Sequence, residues 1–252
     1  MATNSGRFCW FDLVTKDPHK AQGFFGELFQ WKTKEMPIGG GKTYTMISFG
    51  DKEIGGYMPT PQGAPPQAHW LGHLLVADAN ATVEQIKSLG GKVRKAPEKV
   101  GDQGVMAIVA DPFDVTFAVW APMRTQPGAG EFVGKPGNWC WHELTSPDPD
   151  KSVAFYAKIG GFTDKKMEGP MAYHILEADG KGRAGIAKPM MPNVPSMWTP
   201  YVQVASADQT ADKAKRLGAQ LHVPPTDIPN IGRFAIFTGP EAGTIGILQP
   251  QM

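Results

Sequence analysis

Cysteine is nearly absent: the 252 residues include two, Cys9 and Cys140. They occupy equivalent positions in a repeated pattern, so symmetry could bring them together, and a metal site of two cysteines is a poor alternative. Both stand next to tryptophans on segments that read as first strands, where a buried, reduced thiol behaves as a small apolar residue. An excess of either charge is also missing. The 25 basic and 24 acidic residues are interspersed, which leaves no basic face for nucleic acid and no cationic amphipathic helix for a membrane surface. Long apolar runs are missing too: none approaches the ~20 residues that span a bilayer, and Met1 to Arg7 lacks the apolar centre of a signal peptide. These absences leave a cytoplasmic protein with a small-molecule or protein partner, and they exclude nucleic acid and membrane.

What the chain does contain, it contains twice. Trp10 to Trp141 is an offset of 131, which also carries Asp17-Pro18 onto Asp148-Pro149 and Phe24-Phe25 onto Phe155-Tyr156. Further along the offset settles at 128, taking Trp70 to Trp198, Pro112 to Pro240 and Thr116 to Thr244. A period this long is a duplicated domain, because solenoid repeats recur about every 20–50 residues.

Each copy repeats a pattern internally. Phe8 to Val14 is an aromatic, β-branched strand, and Asp17-Pro18 supplies a helix N-cap followed by a proline at the first helical position. Ala21, Phe24, Phe25 and Leu28 then fall on one apolar stripe. Strands are expected near Trp31–Glu35, Tyr44–Phe49 and Glu53–Met58. After the proline-rich connector Pro59–Gln67 the order restarts: a strand at Trp70–Val76, a helix at Ala79–Leu89 stopped by Gly90-Gly91, and strands near Lys92–Arg94, Val105–Val109 and Thr116–Trp120. The second copy repeats this with Met190–Pro195 as its connector. Gly39-Gly40-Gly41-Lys42-Thr43 is a hairpin loop, since a phosphate-binding loop needs a glycine where Met36 stands and a helix where a strand follows.

Four strand–helix–three-strand units in two pairs resemble the vicinal oxygen chelate superfamily, which includes glyoxalase I, bleomycin-resistance proteins and extradiol dioxygenases. The resemblance rests on Trp10 to Asp17 with Phe24-Phe25-Gly26-Glu27-Leu28-Phe29-Gln30-Trp31, on Trp141 to Asp148 with Ala154 to Phe162, and on the turns Asp111-Pro112 and Gly239-Pro240. It implies an α+β fold of two tandem domains, residues 7–122 and 138–250 joined by a linker at 123–137. Each is a pair of βαβββ units (about 8–58 and 70–122; 139–190 and 198–250) curled into an incomplete, cup-shaped barrel with the site inside. Because one chain supplies all four units, a monomer is expected.

In metal-dependent members the resemblance places ligands on the first and last strands of each unit. Here those positions hold Trp10, Leu71 and Ala118, then Trp141, Thr199 and Gly246, with only Gly55-Gly56 and Gly185-Ile186 on the fourth strands. None is a His, Glu, Asp or Cys, so no metal and no other cofactor is expected. A shifted site using Glu53, His73 and Asp12 is the remaining metal alternative; His69 and His73, about 13 Å apart along a strand, cannot share one ion.

Strand alternation turns residues two away from a former ligand position to the same face. That adds Asp12, His73 and Thr116 to Trp10 in the first cup, and Glu143, Tyr201 and Thr244 to Trp141 in the second. An aromatic wall, an acid, a ring that bonds or carries a proton, and a hydroxyl suit a flat, partly polar organic molecule. Three readings stay open: a binding or sequestering protein of the bleomycin-resistance kind, an enzyme (lactoylglutathione-lyase-like, dioxygenase-like, or metal-free with Asp12, His73, Glu143 or Tyr201 in acid–base roles), and a structural or interaction protein with filled cups. His142 is expected to face away from the cup. His174, Tyr173 and Arg233 read as surface or hinge contacts.

Overall fold

The computed structural model describes residues 6–38, 43–61, 67–124, 129–131, 134–167, 172–190 and 194–251. The loop glycines Gly39, Gly40 and Gly41, the middle of the first connector, parts of the linker and part of the second connector lie outside them. The first unit runs β1 (Arg7–Thr15), α1 (Pro18–Phe29), β2 (Lys32–Pro37), β3 (Thr43–Phe49) and β4 (Lys52–Pro59). The second runs β5 (His69–Leu75), α2 (Ala79–Ser88), β6 (Lys92–Val100), β7 (Gly104–Ala110) and β8 (Thr116–Pro122). The third has β9 (Trp139–Thr145), α3 (Pro149–Gly160), β10 (Thr163–Met167), β11 (Tyr173–Ala178) and β12 (Lys181–Ala187). The fourth has β13 (Met197–Gln203), α4 (Ala207–Arg216), β14 (Gln220–Ile228), β15 (Gly232–Thr238) and β16 (Thr244–Pro250). The fold is α+β with the expected βαβββ order four times over.

Two mixed sheets of eight strands result, in the orders β2-β3-β4-β1-β5-β8-β7-β6 and β10-β11-β12-β9-β13-β16-β15-β14. In each unit the first and last strands pair in parallel, as β1 does with β4 and β5 with β8. The intervening helix is the crossover that such a pairing needs. Asp17 caps α1 by accepting from the Lys20 amide at 3.0 Å, Asp148 caps α3 in the same way, and both helices begin on the expected proline. The α1 stripe of Ala21, Phe24, Phe25 and Leu28 is buried. One strand departs from expectation: β6 extends to Val100, well past Arg94. Its register against β7 shifts twice, between Val93 and Lys95 and between Lys95 and Glu98, and an outermost strand with such irregularities tolerates Pro97.

Packing divides the chain into two compact units. One contains residues 1–10, 71–131 and 141–199. Its core holds Tyr156 between Phe117 and Trp198, and a buried hydrogen-bond chain runs from Trp198 Nε1 to Tyr156 Oη (2.9 Å) and on to Asp111 Oδ2 (3.2 Å). Asp111 also accepts from the amides of Phe113 and Val115, which is what the Asp111-Pro112 turn requires. The other compact unit contains residues 11–70, 132–140 and 200–252. Its core is an aromatic cluster of Phe25, Phe29, Trp31, Trp70 and Trp139. There the Trp31 and Trp139 indoles donate to the carbonyls of Gly137 and Ile54, which lets two large rings be buried with their polar edges satisfied. Among the described residues no helix is long and apolar enough to cross a membrane.

Candidate functional site

The strand register places the four titratable or ring-bearing candidates at one and the same position in the four units. Asp12 on β1 stands opposite Gly56, which stands opposite Met46 and then Lys34. Glu143 on β9 stands opposite Gly185, then Ile175 and Lys165. His73 stands opposite Ala118 and Ile108, and Tyr201 opposite Gly246 and Ile236. In every unit a polar or titratable side chain therefore faces a glycine or alanine across a parallel pairing. The pairing also settles which fourth-strand residue is equivalent to Ala118 and Gly246: it is Gly56, not Gly55, and Gly185, not Ile186.

The small residue has a reason that differs from unit to unit. A Cβ on Gly56 would lie 1.9 Å from Tyr44 Oη, and one on Gly185 would lie 1.9 Å from Tyr173 Oη. Each tyrosine, two residues along from Met46 or Ile175, leans its ring across the glycine to reach the acid. Tyr44 Oη donates to Asp12 Oδ1 at 2.5 Å, and Tyr173 Oη donates to Glu143 Oε2 at 2.8 Å. In the second case the relay is longer, because Trp141 Nε1 donates to Tyr173 Oη at 2.8 Å. Burial and the neighbouring Glu143 charge push the Tyr173 hydroxyl well above the usual tyrosine range, so it remains a donor. At Gly246 a Cβ would lie 2.3 Å from Tyr201 Cδ1, so there the ring of the candidate itself covers the glycine.

These contacts correct the expectation that Tyr173 and His174 are surface or hinge residues. Tyr173 links Trp141 to Glu143, and His174 is buried with its Nδ1 3.0 Å from Asp164 Oδ2. Tyr44 was missed altogether. The available signal was the offset of 129 that carries Tyr44 onto Tyr173 and Gly56 onto Gly185, since two tyrosines paired with two glycines at one offset mark a repeated contact. Arg233 does sit at the surface, held by Asp208 and Asp227.

The remaining candidates take these places. Asp12 and His73 are 3% and 5% exposed, and Tyr201 is also buried. Trp10, Thr116, Trp141, Glu143 and Thr244 are half-buried. Thr244 Oγ1 lies 2.8 Å from Thr238 Oγ1. His142, between Trp141 and Glu143, turns to the opposite face and stacks on Trp198 with centroids 4.4 Å apart. Cys9 and Cys140 are free thiols, each donating to a strand carbonyl, of His73 and of Tyr201. Burial pushes both thiols up to about 12, the range of an unreactive cysteine.

At the positions where the resemblance places metal ligands stand Trp10, Gly56, Leu71 and Ala118, then Trp141, Gly185, Thr199 and Gly246, and these side chains, with no imidazole or carboxylate among them, do not fit a divalent metal there. Glu53, the third member of the shifted alternative, is exposed. Among the described residues no group of three or more His, Cys, Asp or Glu side chains is arranged to hold a metal ion.

A double-mutant cycle checks the glycine–tyrosine contact. Gly56→Ala forces the Tyr44 ring aside and should cost about 1–3 kcal/mol, the usual range for overpacking. In the Tyr44→Ala background the same change should cost much less, because the obstructing atoms belong to that side chain. Gly55→Ala is the contrast: its Cβ would lie 2.2 Å from the backbone oxygen of Phe11, so removing Tyr44 should bring no relief. Equal costs for Gly56→Ala in both backgrounds would contradict the contact.

Comparison with known proteins agrees with this architecture. Residues 7–119 match the family described as "Glyoxalase/Bleomycin resistance protein/Dioxygenase superfamily". The "Putative glyoxylase CFP32" of Mycobacterium tuberculosis is 34% identical over 246 residues, covering 96% of this chain and 94% of that protein. The "Anthracycline biosynthesis protein DauV" of Streptomyces sp. strain C5 is 27% identical over 263 residues, covering 97% and 93%. Among solved structures, the Mn(II)-bound glyoxalase from Novosphingobium aromaticivorans superposes with a TM-score of 0.65 at 15% identity, covering 97% of this chain and 82% of that one. With one relative above 30% identity over nearly the whole of both chains, this protein belongs to the glyoxalase/bleomycin resistance protein/dioxygenase superfamily.

Proposed function

We propose that this chain is a metal-independent member of the superfamily that binds a flat, partly polar organic molecule. The observation that supports the reading is a hydrogen-bonded arrangement where the resemblance would place metal donors: in the first and third units the fourth-strand position is a glycine covered by a tyrosine that holds the first-strand acid. A ligand lying against Trp141 meets an apolar wall, with Glu143 at its edge to accept from a donor group, and Asp12 offers the same acceptor beside Tyr44. The face around Tyr44 also carries Met36 and Met46, side chains that adapt to irregular aromatic shapes. In this reading the chain acts as a monomer of two domains, 7–122 and 138–250, and sedimentation should return the mass of one chain.

A second reading is favoured by one feature, the chain Trp141–Tyr173–Glu143, which places a proton donor beside a carboxylate. That pairing suits metal-free acid–base chemistry, and the name of the mycobacterial relative points to a glyoxalase-type reaction. Three measurements separate the possibilities. Elemental analysis after mild chelation should find no stoichiometric Zn, Ni, Fe or Mn; near one equivalent of metal would overturn the metal-independent reading. Calorimetry against a panel of fused-ring aromatics should find a binder whose affinity falls by about 1–3 kcal/mol in Glu143→Gln or Asp12→Asn, the loss that follows when a buried donor is left without its acceptor. Turnover of the methylglyoxal–glutathione hemithioacetal, lost in Tyr173→Phe, would instead establish the enzyme.

A further inference from the structure

Thr244 is tied to solvent through a chain of side chains. His222, exposed on β14, has its Nε2 2.7 Å from Thr238 Oγ1 on β15. Thr238 Oγ1 in turn lies 2.8 Å from Thr244 Oγ1 on β16, and Thr238 and Thr244 are direct partners across the strands. The chain thus runs from the irregularity between Leu221 and Val223 on β14 to β15 and β16 and ends two residues from Gly246, the glycine under the Tyr201 ring. It has no counterpart in the second unit, where Thr116 pairs with Ala110, a residue with no hydroxyl to continue the path.

We infer that His222 is a positioning residue that sets, through Thr238, whether the Thr244 hydroxyl offers a hydrogen or a lone pair to a ligand. The inference rests on the reading that this face binds an organic ligand. A hydroxyl has one hydrogen, so a row of two hydroxyls ending on a ring nitrogen runs in a single direction. When His222 is protonated, Nε2–H must donate to Thr238, Thr238 then donates to Thr244, and the Thr244 hydrogen is turned outward as a donor. When the ring is neutral with its proton on Nδ1, Nε2 accepts from Thr238, Thr238 accepts from Thr244, and Thr244 faces outward as an acceptor. The one proton lost is that on His222 Nε2, which passes to solvent; along the two hydroxyls each keeps one hydrogen and only the sense of the hydrogen bonds reverses. An imidazole is the side chain whose charge changes most readily near neutral pH, and His222 meets solvent directly.

The charged and titratable groups near His222 are few and mostly engaged elsewhere. On β15 the residues paired with its neighbours on β14 are Ile236, Phe237 and Thr238, none charged. The charged side chains of α4, which packs against β14, are Asp208, Asp212, Lys213, Lys215 and Arg216. Asp208 is paired with Arg233, Asp212 with Lys215, and Lys213 donates to the Glu27 carbonyl. Among the described residues no carboxylate is recorded in an ion pair with His222.

The test has a ligand-independent arm and a ligand arm. In protein labelled at threonine methyl groups, the Thr244 resonance should titrate with the same midpoint as the His222 ring. In Thr238→Val, which keeps the shape and removes the relaying hydroxyl, His222 should go on titrating while Thr244 falls silent. A Thr244 resonance that never titrates, or one that still titrates in Thr238→Val, overturns the inference. For the ligand arm the probes are 2-naphthol, which can donate, and 2-methoxynaphthalene, which can only accept. Their affinity ratio should shift about fivefold in favour of the acceptor-only probe below the His222 midpoint, the worth of one neutral hydrogen bond, and the shift should vanish in His222→Phe and in Thr238→Val. If the resonances behave as stated and neither probe binds, the relay stands and the organic-ligand reading fails. If both probes bind with a ratio indifferent to pH, the role of His222 is overturned and the binding reading survives.

Discussion

Replacing Glu131 with alanine should lower the unfolding free energy by about 3 kcal/mol, because it strips two buried guanidinium groups of the carboxylate they share. Glu131 is read in the sequence as ordinary linker. In the structure its Oε1 lies 2.9 Å from Arg7 Nη1, while Arg183 Nη1 and Nη2 donate to Oε2 and Oε1 at 3.0 and 3.2 Å in a forked pair. The side chains of Arg7 and Arg183 are only 10% and 3% exposed, whereas that of Glu131 is 34% exposed. The asymmetry decides the magnitude. A surface ion pair is worth about 0–1 kcal/mol, but here the cations stay buried after the acid is gone, and Asp179 reaches Arg7 more closely, at 2.6 Å, than it reaches Arg183, at 3.9 Å. Glu131→Gln should lose less, since the amide oxygen still accepts one of the bonds. The hydrogen bond from Arg183 and the surrounding positive charge hold the Glu131 carboxyl below its usual range. Its contribution is therefore complete above the unfolded-state carboxylate pKa and declines as pH falls through the depressed folded value. Urea unfolding near neutral pH is the measurement; a loss below about 1 kcal/mol for Glu131→Ala would place the cluster among ordinary surface pairs.

The order of elements was readable because it depends on local chemistry. Asp17-Pro18 and Asp148-Pro149 start helices for the same reason in both copies, and the α1 stripe announces its buried face by spacing alone. The offset between copies made the duplication legible and, with it, the equivalence of Asp12 with Glu143 and of His73 with Tyr201. What could not be read was anything set by register across strands. Whether Gly55 or Gly56 faces the first-strand acid is a shift of one residue, and one residue reverses the face. The role of the tyrosines was illegible for a related reason: Tyr44 and Tyr173 lie on third strands, a place with no prior claim to function, and their meaning comes from reaching over a glycine on the neighbouring strand. The cluster around Glu131 was invisible because Arg7, Glu131 and Arg183 are far apart in sequence and follow no repeat. Ile54 occupies the place of Arg183 in the first copy at the offset of 129, so the duplication itself gives no hint of a buried cation there.

The second large effect is a loss of stability with acid, traced to His142. This imidazole is 0% exposed, stacked on Trp198 and met edge-on by Phe8 at 4.3 Å, and a Cβ added to Gly72 would lie 2.6 Å from its Cε1. Phe8, Trp198 and the backbone at Gly72 pack closely against the ring. Burial lowers its pKa well below 6.5, whereas in the unfolded chain it titrates at an ordinary value of about 6.5. The unfolded state thus binds the extra proton first, and stability must rise with pH across the interval between the two values. His142 costs nothing above about pH 7, and below 6.5 stability falls with a slope of at most about 1.4 kcal/mol per pH unit until the lowered folded-state value is reached. Asp111 works in the opposite sense at lower pH, because burial raises its carboxyl and protonation there relieves a penalty. Unfolding free energies measured between about pH 5 and 7.5 should slope upward in the parent chain and flatten in His142→Gln, which keeps a polar group of similar size without a proton to gain. The comparison of slopes is independent of any constant loss of stability the substitution causes. An unchanged slope in His142→Gln would mean that another group carries the acid sensitivity and that the imidazole accommodates its charge in place.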